Sequence, residues 1–262
     1  MSDVVLLERV AATQVVTIHR PESRNALTRA VLRELGAAMS AAAADPAVRC
    51  VVLAGAGGHF CAGADLRQTI VEDPAMMDHL EEYMDDFHGL IRGIVRCEKP
   101  VIARMEGAAV GFGADLALAC DLRVAAAGAY VQEKFVRLGL MPDGGGSFWL
   151  PRLVGTARAM QMILFAEKVD AAELERLGVV MRVVPPEDVH EATLGVARRI
   201  EAGPPLAHAA IKRALYANLG GGGIEDALRR EREEQLKLLR SSDLMEGVAA
   251  WMQKREPEFQ GR

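Results

Sequence analysis

Aromatic residues are scarce in this sequence, and their scarcity limits the kind of core that it can build. Phe, Trp and Tyr make up 5% of the 262 residues, whereas hydrophobic residues as a whole make up 50%. Such a core is packed tightly from small pieces, chiefly Ala, Val, Leu and Gly. The hydrophobic content, together with charged residues of both signs at 26%, excludes a disordered chain. The length suits one large domain, or a domain with a smaller appendage.

Paired cysteines and long apolar runs are also missing. The cysteines are Cys50, Cys61, Cys97 and Cys120, and no two of them form a CxxC pair, so zinc ligation is not expected. Each lies in an apolar run, which is typical of a reduced, buried thiol in a cytosolic protein. We see no signal peptide and no apolar segment of membrane-spanning length. We therefore predict a cytoplasmic protein with no membrane partner.

Several motifs of nucleotide-dependent and hydrolytic chemistry are absent or incomplete. The net charge of −5 gives no electrostatic footprint for nucleic acid. There is no G-x-S-x-G, no H-E-x-x-H and no phosphate-binding loop that ends in Gly-Lys-Ser/Thr. Two stretches begin G-x-G but lack the third glycine of the dinucleotide fingerprint, which is Phe60 in GAGGHF and Leu116 in GFGADL. These gaps disfavour nucleic-acid, metal and dinucleotide binding.

The hydrophobic runs that are present alternate between the periods of strands and of helices. Strands are predicted within 3–19, 48–55, 100–107 and 122–131, and helices at 27–44 and 76–96. The helix at 76–96 would have one apolar face, formed by Met77, Leu80, Met84, Phe87, Ile91 and Val95. After about residue 150 the pattern turns helical. This order indicates an α/β protein with much parallel sheet, with a core over 1–200 and a helical region over 201–262.

Two glycine-rich loops lead into predicted helices. They are Gly63-Ala64-Asp65-Leu66 and Gly111-Phe112-Gly113-Ala114, both at the carboxyl ends of predicted strands, where open α/β sheets bind ligands. The first N–H groups of a helix have no internal partner and lie at the positive end of the helix dipole. Two such amides aimed at one point could stabilise an oxyanion. Alternatively, the glycines serve only tight turns and close packing.

Five segments, in order over nearly the whole chain, carry a family resemblance. They are RPESRNAL (20–27), HFCAGADL (59–66), KPVIARMEGAAVGFGADLALACDLRVAA (99–126), LGLMPDGGGSFWLPRLVG (138–155) and EGVAAWMQKREPEF (246–259). Together they resemble the crotonase superfamily, the enoyl-CoA hydratases and isomerases, and most of all its phenylacetate-pathway isomerase branch. The resemblance implies a crotonase-like spiral of ββα units. It also implies a helical C-terminal region that builds homotrimers or dimers of trimers.

The same resemblance implies an acyl-CoA thioester substrate and no tightly bound cofactor, because coenzyme A enters as part of the substrate. By motif match, the N–H groups of Ala64 and Phe112 would hold the thioester oxygen, although the family usually has glycine where Phe112 stands. The residues expected around the CoA moiety are Asn25, Ala26, Leu27, Ala62, Gly63, Asp65, Leu66, Gly111 and, near the C-terminus, Lys254.

Two aspartates are the candidate proton-transfer groups. Asp115 matches the first catalytic glutamate of the hydratases, and a partly buried carboxylate can exchange a proton near neutral pH. The second hydratase glutamate matches Phe135, which can neither orient water nor supply a proton. Asp143, in MPDGGG, matches an aspartate of several isomerase branches, and its alternative role is that of a turn-forming residue. Asp121 is expected to make structural hydrogen bonds.

These residues predict an enzyme that moves a double bond from Δ3 to Δ2 of an enoyl-CoA by proton transfer through an enolate. Asp143 would shuttle the proton and Asp115 would assist or act as a second base. The apolar face at 76–96, with Trp149, would line the acyl pocket, unless those side chains are ordinary core. A hydratase that uses another second carboxylate remains an alternative, and a non-catalytic CoA-binding protein is a more distant one.

Overall fold

The computed structural model describes residues 4–72 and 78–262 of the chain. Its strands are Val5–Val10 (β1), Thr13–Ile18 (β2), Cys50–Gly55 (β3), Val101–Met105 (β4), Ala108–Val110 (β5), Leu122–Ala126 (β6), Tyr130–Gln132 (β7), Val169–Asp170 (β8) and Arg182–Val184 (β9). Its helices are Arg29–Ala44 (α1), Leu80–Arg96 (α2), Phe112–Ala119 (α3), Gly146–Val154 (α4), Thr156–Leu164 (α5), Ala171–Arg176 (α6), Val189–Glu201 (α7), Pro205–Leu219 (α8), Ile224–Leu238 (α9) and Ser242–Gln253 (α10).

The larger sheet has the strand order β1-β2-β3-β4-β6-β9, and all its neighbours are parallel except β1 and β2. Every residue of β3 is buried, because helices cover both faces of the sheet. On one face, alternate residues such as Val52 and Ile102 pack against α7. On the other, residues such as Val51 and Leu53 join the larger core with α1, α2 and α3. The prediction of an α/β fold with a mainly parallel sheet is confirmed.

A second, smaller sheet of β5, β7 and β8 gives the chain its spiral path. β4 in the large sheet is followed by β5 in the small one and then by α3. In the next turn β6 is followed in the same way by β7, which pairs in parallel with β5. Earlier turns of the spiral add isolated parallel β-bridges, between Leu27 and Ala64 and between Cys61 and Ala109. The segments that follow successive large-sheet strands are therefore brought side by side.

Two predictions about strands were wrong. The single strand region expected at 122–131 is two strands, since β6 and β7 belong to different sheets and the chain turns at Ala127–Ala129 between them. The part of the chain after residue 150 is not purely helical, because β9 pairs with β6 at the edge of the large sheet. Three-residue strands carry too little periodicity to be recognised from sequence.

The predicted apolar face of α2 is displaced around the helix. The buried side chains are Tyr83, Phe87, Leu90 and Ile94, whereas Leu80 is 44% exposed. Of the six residues expected on that face, Phe87 is buried, and Met77 lies outside the described residues. The expected set and the buried set both follow spacings of three and four residues, so the periodicity predicted the helix but not which side of it is buried.

The C-terminal helices are attached to the core mainly through α8. The Lys212 ammonium is 6% exposed and donates to the carbonyl oxygen of Ile94 at 3.0 Å and to Asp121 Oδ2 at 2.7 Å. The hydroxyl of Tyr216 donates to the other oxygen of Asp121 at 2.8 Å. Asp121 thus has the structural role that we expected. By contrast, α9 has no buried residue, and Trp251 on α10 is 81% exposed.

Candidate active site

The loop at residues 61–66 lies against the N-terminus of α3. Gly63 turns with φ +90°, a conformation that glycine adopts without strain. A Cβ at Gly63 would lie 2.7 Å from the carbonyl oxygen of Val110 and 3.4 Å from the nitrogen of Phe112. A larger residue could not be accommodated so close to backbone atoms. Glycine at this position therefore allows the two loops to meet.

Two main-chain N–H groups lie at this contact, those of Ala64 and Phe112. Within the described part of the chain, neither donates a hydrogen bond to a backbone or side-chain acceptor. Phe112 is the first residue of α3, and its N–H therefore lies at the positive end of the helix dipole. The structure thus brings together the two amides that the sequence singled out. A partly negative oxygen is the kind of acceptor that suits such a pair.

Asp115 lies in the first turn of α3 and is fully buried. Its Oδ2 accepts a hydrogen bond from the N–H of Gly144 at 2.7 Å. Its Oδ1 has no donor among the described residues. Burial raises the pKa of Asp115 to about 7; the hydrogen bond from Gly144 opposes this rise, and the charge of Asp143 adds to it. The carboxyl therefore titrates near neutral pH.

Asp143 lies on the turn that Asp115 holds through Gly144. The side chain is half-buried, and its Oδ1 has no hydrogen-bond partner in the described structure. The carbonyl oxygen of Asp143 is 2.9 Å from Nε2 of His88 on α2, so the turn is tied down on both sides. Burial raises the pKa of the Asp143 carboxyl, and the nearby His88 partly opposes that rise. The turn therefore presents an unpaired carboxyl oxygen close to the N-terminal end of α3.

Glu133 is a third buried carboxyl, and sequence reasoning did not select it. It follows β7, and its side chain is 1% exposed. Burial raises the pKa of Glu133 well above its ordinary value, and Asp115 raises it further. One signal was available in the sequence, because Val131, Glu133 and Phe135 alternate and the two apolar members are buried. Glu133 is a carboxylate at a position where this alternation predicts a buried apolar side chain.

Comparisons with known proteins show the family of the chain. The family model for enoyl-CoA hydratase/isomerase matches residues 8–262. The chain belongs to that family, within the crotonase superfamily. It is 42% identical to a Rhodobacter capsulatus protein named "probable enoyl-CoA hydratase", over 95% of this chain and 94% of that protein. It is 33% identical to the 1,2-epoxyphenylacetyl-CoA isomerase of Escherichia coli, over 100% of both chains.

The solved structures give the same result for the fold. The crystal structure of an enoyl-CoA hydratase from Bacillus anthracis superposes with a TM-score of 0.93 at 28% identity, covering 99% of this chain and 100% of that one. The predicted crotonase-like spiral with a helical C-terminal region is therefore confirmed. The protein is an enzyme of the hydratase/isomerase type, and the family acts on CoA thioesters.

Within this enoyl-CoA hydratase/isomerase, Phe135 stands where the resemblance leads one to expect a second glutamate. Its side chain is 8% exposed. The tip of the ring lies 3.9 Å from the position that a Cβ at Gly111 would occupy, beside the start of α3. The ring therefore occupies space next to the free N–H of Phe112. An apolar ring at this point can contact substrate but cannot exchange a proton.

The candidate CoA-binding residues fall into two adjoining segments. Residues 25–27 and 61–66 are joined by the hydrogen bond from the N–H of Leu27 to the carbonyl oxygen of Gly63, at 2.8 Å. The side chain of Asn25 is fully buried and committed to the main chain, donating to Ala56 and His59 and accepting from Arg20. Asn25 therefore shapes the turn, which it enters with φ 60°.

The remaining candidates in these segments differ in exposure. Ala26, Leu27 and Gly63 are buried, Ala62 and Gly111 are half-buried, and Leu66 is 38% exposed. Asp65 forms an ion pair with Arg20 at 3.0 Å, and Arg20 also donates to the carbonyl oxygen of Ala26. Arg20, which the sequence reasoning missed, therefore ties the two segments together.

No hydrogen bond or ion pair of the described residues joins Lys254 to these segments. It is exposed and ends α10 with a left-handed φ of 54°. Residues 4–72 and 78–262 contain no group of three or more His, Cys, Asp or Glu side chains placed to hold a metal ion. No helix within those ranges has both the length and the apolar character needed to cross a membrane.

Proposed function

We propose that the protein is an enoyl-CoA isomerase that moves a double bond from the Δ3 to the Δ2 position. The proposal rests on which side chains lie near the free amides of Ala64 and Phe112. A carboxyl with an unpaired oxygen, Asp143, approaches from one turn, and a phenyl ring, Phe135, fills the position of the second hydratase glutamate. One acid and an oxyanion site suffice to move a proton, whereas hydration also requires a group that orients water.

In the proposed reaction the two amides hold the thioester oxygen. Asp143 takes a proton from C2 of the 3-enoyl thioester, and the electron pair left behind extends the double bond into a dienolate. The negative charge collects on the thioester oxygen, where the amides stabilise it. Asp143 then returns the same proton to C4, which leaves the double bond between C2 and C3. Asp115 assists by anchoring Gly144 and so fixing the turn that carries Asp143.

Coenzyme A would lie along the segments at 25–27 and 61–66. Arg24 is exposed there, and its carbonyl oxygen accepts from the N–H of Ala62 at 3.0 Å, so the residue lies beside both segments. We expect its guanidinium to bind a CoA phosphate. Lys254 would reach the same ligand only from a second subunit. The exposed apolar side chains of α10, including Trp251 and Met252, are the surface that a trimer or a dimer of trimers would cover.

The proposed reaction is tested with a 3-enoyl-CoA and with Asp143→Asn. We expect the wild type to produce the absorbance of the conjugated thioester, and Asp143→Asn to do so about 10²- to 10⁴-fold more slowly, because the amide cannot accept the proton. Asp188→Asn, a matched change at an exposed position, is the control and should retain the wild-type rate. An unaltered rate in Asp143→Asn would exclude the proposed base.

A hydratase is the second candidate, favoured by the names of relatives such as those from Rhodobacter capsulatus and Rhizobium meliloti, both "probable enoyl-CoA hydratase". Incubation with crotonyl-CoA separates the two functions. Rapid loss of the conjugated-thioester absorbance, without conversion of the 3-enoyl substrate, would support hydration. Asp115 and Glu133 would then have to serve as the pair of acids, although both are buried behind Gly146.

A further inference from the structure

Glu133 is the buried group for which the proposed reaction has no use. Its side chain is 1% exposed, and neither Oε1 nor Oε2 receives a hydrogen bond from an N–H or O–H group of the described residues. An ionised carboxylate so placed would have lost its hydration without gaining any donor. The surroundings therefore favour the neutral acid.

Glu133 faces Asp115 across Gly146. A Cβ at Gly146 would lie 2.4 Å from Oδ1 of Asp115 and 2.8 Å from Oε1 of Glu133, so the two oxygens flank the same point. Oδ1 is also the oxygen of Asp115 that receives no main-chain donor. Neither oxygen has another donor among the described residues, so a proton placed between the two carboxyls would satisfy both. Asp115 already accepts the N–H of Gly144, whereas neither oxygen of Glu133 has a donor, so the proton is expected on Glu133.

The charges around the pair do not permit two anions. Asp143, on the turn before α4, adds a third carboxyl and raises the pKa of both partners. From α2, His88 contacts the carbonyl oxygen of Asp143. No arginine or lysine of the described residues is hydrogen-bonded or ion-paired to Glu133 or Asp115. Two adjacent ionised carboxylates without a cation repel each other strongly, so one proton stays with the pair.

We propose that Glu133 is a positioning residue that stays protonated at neutral pH and donates its proton to Oδ1 of Asp115. Asp115 can then remain an anion, whose Oδ2 accepts the N–H of Gly144 and so orients the turn that carries Asp143. This consequence for catalysis rests on the proposed function. The protonated state of Glu133 rests only on the contacts around it.

The catalytic consequence is tested by the pH dependence of kcat/KM in Glu133→Gln and Glu133→Leu. Gln keeps a donor toward Asp115, so the acidic limb of the profile should stay at its wild-type pH. Leu removes the donor, so the Asp115 anion loses a charge-assisted hydrogen bond and its pKa rises. The acidic limb of the profile should therefore lie about one unit higher in pH. Equal displacement in both variants, or displacement in neither, would overturn the positioning role.

The proton itself is tested by infrared difference spectroscopy, which needs no turnover. At about pH 8, wild-type protein should show the carbonyl band of a protonated carboxyl group. Glu133→Gln should lose the band, and Glu187→Gln, at an exposed position, should keep it. Absence of the band from wild type would overturn the inference. Presence of the band in a protein that does not convert a 3-enoyl-CoA would uphold the protonated Glu133 and refute the proposed function.

Discussion

An aspartate lies near each end of α3, and the two have opposite surroundings. Asp121, just beyond the C-terminal end, is surrounded by donors: the N–H of Val101 at 2.7 Å, the ammonium of Lys212 at 2.7 Å and the hydroxyl of Tyr216 at 2.8 Å. Asp115, in the first turn, has one main-chain donor and two neighbouring carboxyls. The same helix therefore has a compensated charge at one end and an uncompensated one at the other.

The difference separates a structural from a chemical role. A buried charge that only holds elements together is stable when cations and donors satisfy it. A carboxyl that has to exchange protons near neutral pH needs the opposite surroundings, because burial and like charges bring its pKa into that range. We therefore expect changes at Asp121 to affect stability and changes at Asp115 to affect pH dependence.

The largest loss of stability is expected from Lys212→Met, which removes the cation paired with Asp121 beyond the C-terminal end of α3. The change leaves Asp121 without its cation and the carbonyl oxygens of Ile94 and Lys99 without a donor. Removing one partner of a buried ion pair typically costs about 3–5 kcal/mol. Urea unfolding should show this loss in the free energy of unfolding.

The matched control for that change is Lys237→Met, which removes an exposed lysine paired with Glu234 on α9. Exposed pairs contribute about 0–1 kcal/mol, so this variant should unfold close to the wild-type urea concentration. If the two variants lost equal stability, Asp121 would not be a compensated buried charge.

The raised pKa of Asp115, at the N-terminal end of α3, is tested by the pH dependence of stability in Asp115→Asn. Because the pKa of Asp115 is raised from 3.8 to about 7, the folded wild type binds more protons than the unfolded chain between those values. The stability of the wild type should therefore fall as pH rises through that window. Asparagine does not titrate, so its advantage over wild type should be small near pH 4 and grow to at most about 4 kcal/mol above pH 7.

The comparison variant for this prediction is Asp121→Asn, which removes the partner of Lys212 and should be less stable than wild type at pH 8. Thermal unfolding from pH 4 to pH 8 measures both variants. An Asp115→Asn advantage that does not depend on pH would contradict the raised pKa.

The smallest loss of stability is expected from Gly146→Ala, which tests whether Asp115 and Glu133 are packed against Gly146. The added methyl group would lie within 2.8 Å of both Asp115 and Glu133 and would force the two carboxyls apart. Overpacking of this kind costs about 1–3 kcal/mol. Gly128→Ala, where a Cβ meets no atom within 4 Å, should be close to neutral in the same unfolding assay. Equal effects of the two changes would mean that the carboxyls are not packed against Gly146.

Much of the fold and part of the site could be predicted from the sequence. The long elements have strong local signals: in α1, Thr28 caps the first turn by accepting the N–H of Val31, and an apolar stripe follows. The glycine-rich entries at 63 and 111 also mark turns with positive φ. The missed features, β9 and the role of Glu133, have little local signal, because their partners lie far away along the chain.

The sequence by itself determined the order of strands and helices, the glycine turns that leave amides unpaired, and the family to which the chain belongs. These follow from residue types at short spacing, which act through local backbone preference and periodic burial. Only the tertiary structure decided which carboxyls face each other and which face a cation. The energy of a buried charge depends on distances through space, so Asp115 and Asp121, six positions apart in the sequence, acquire different chemistry from partners that the fold supplies.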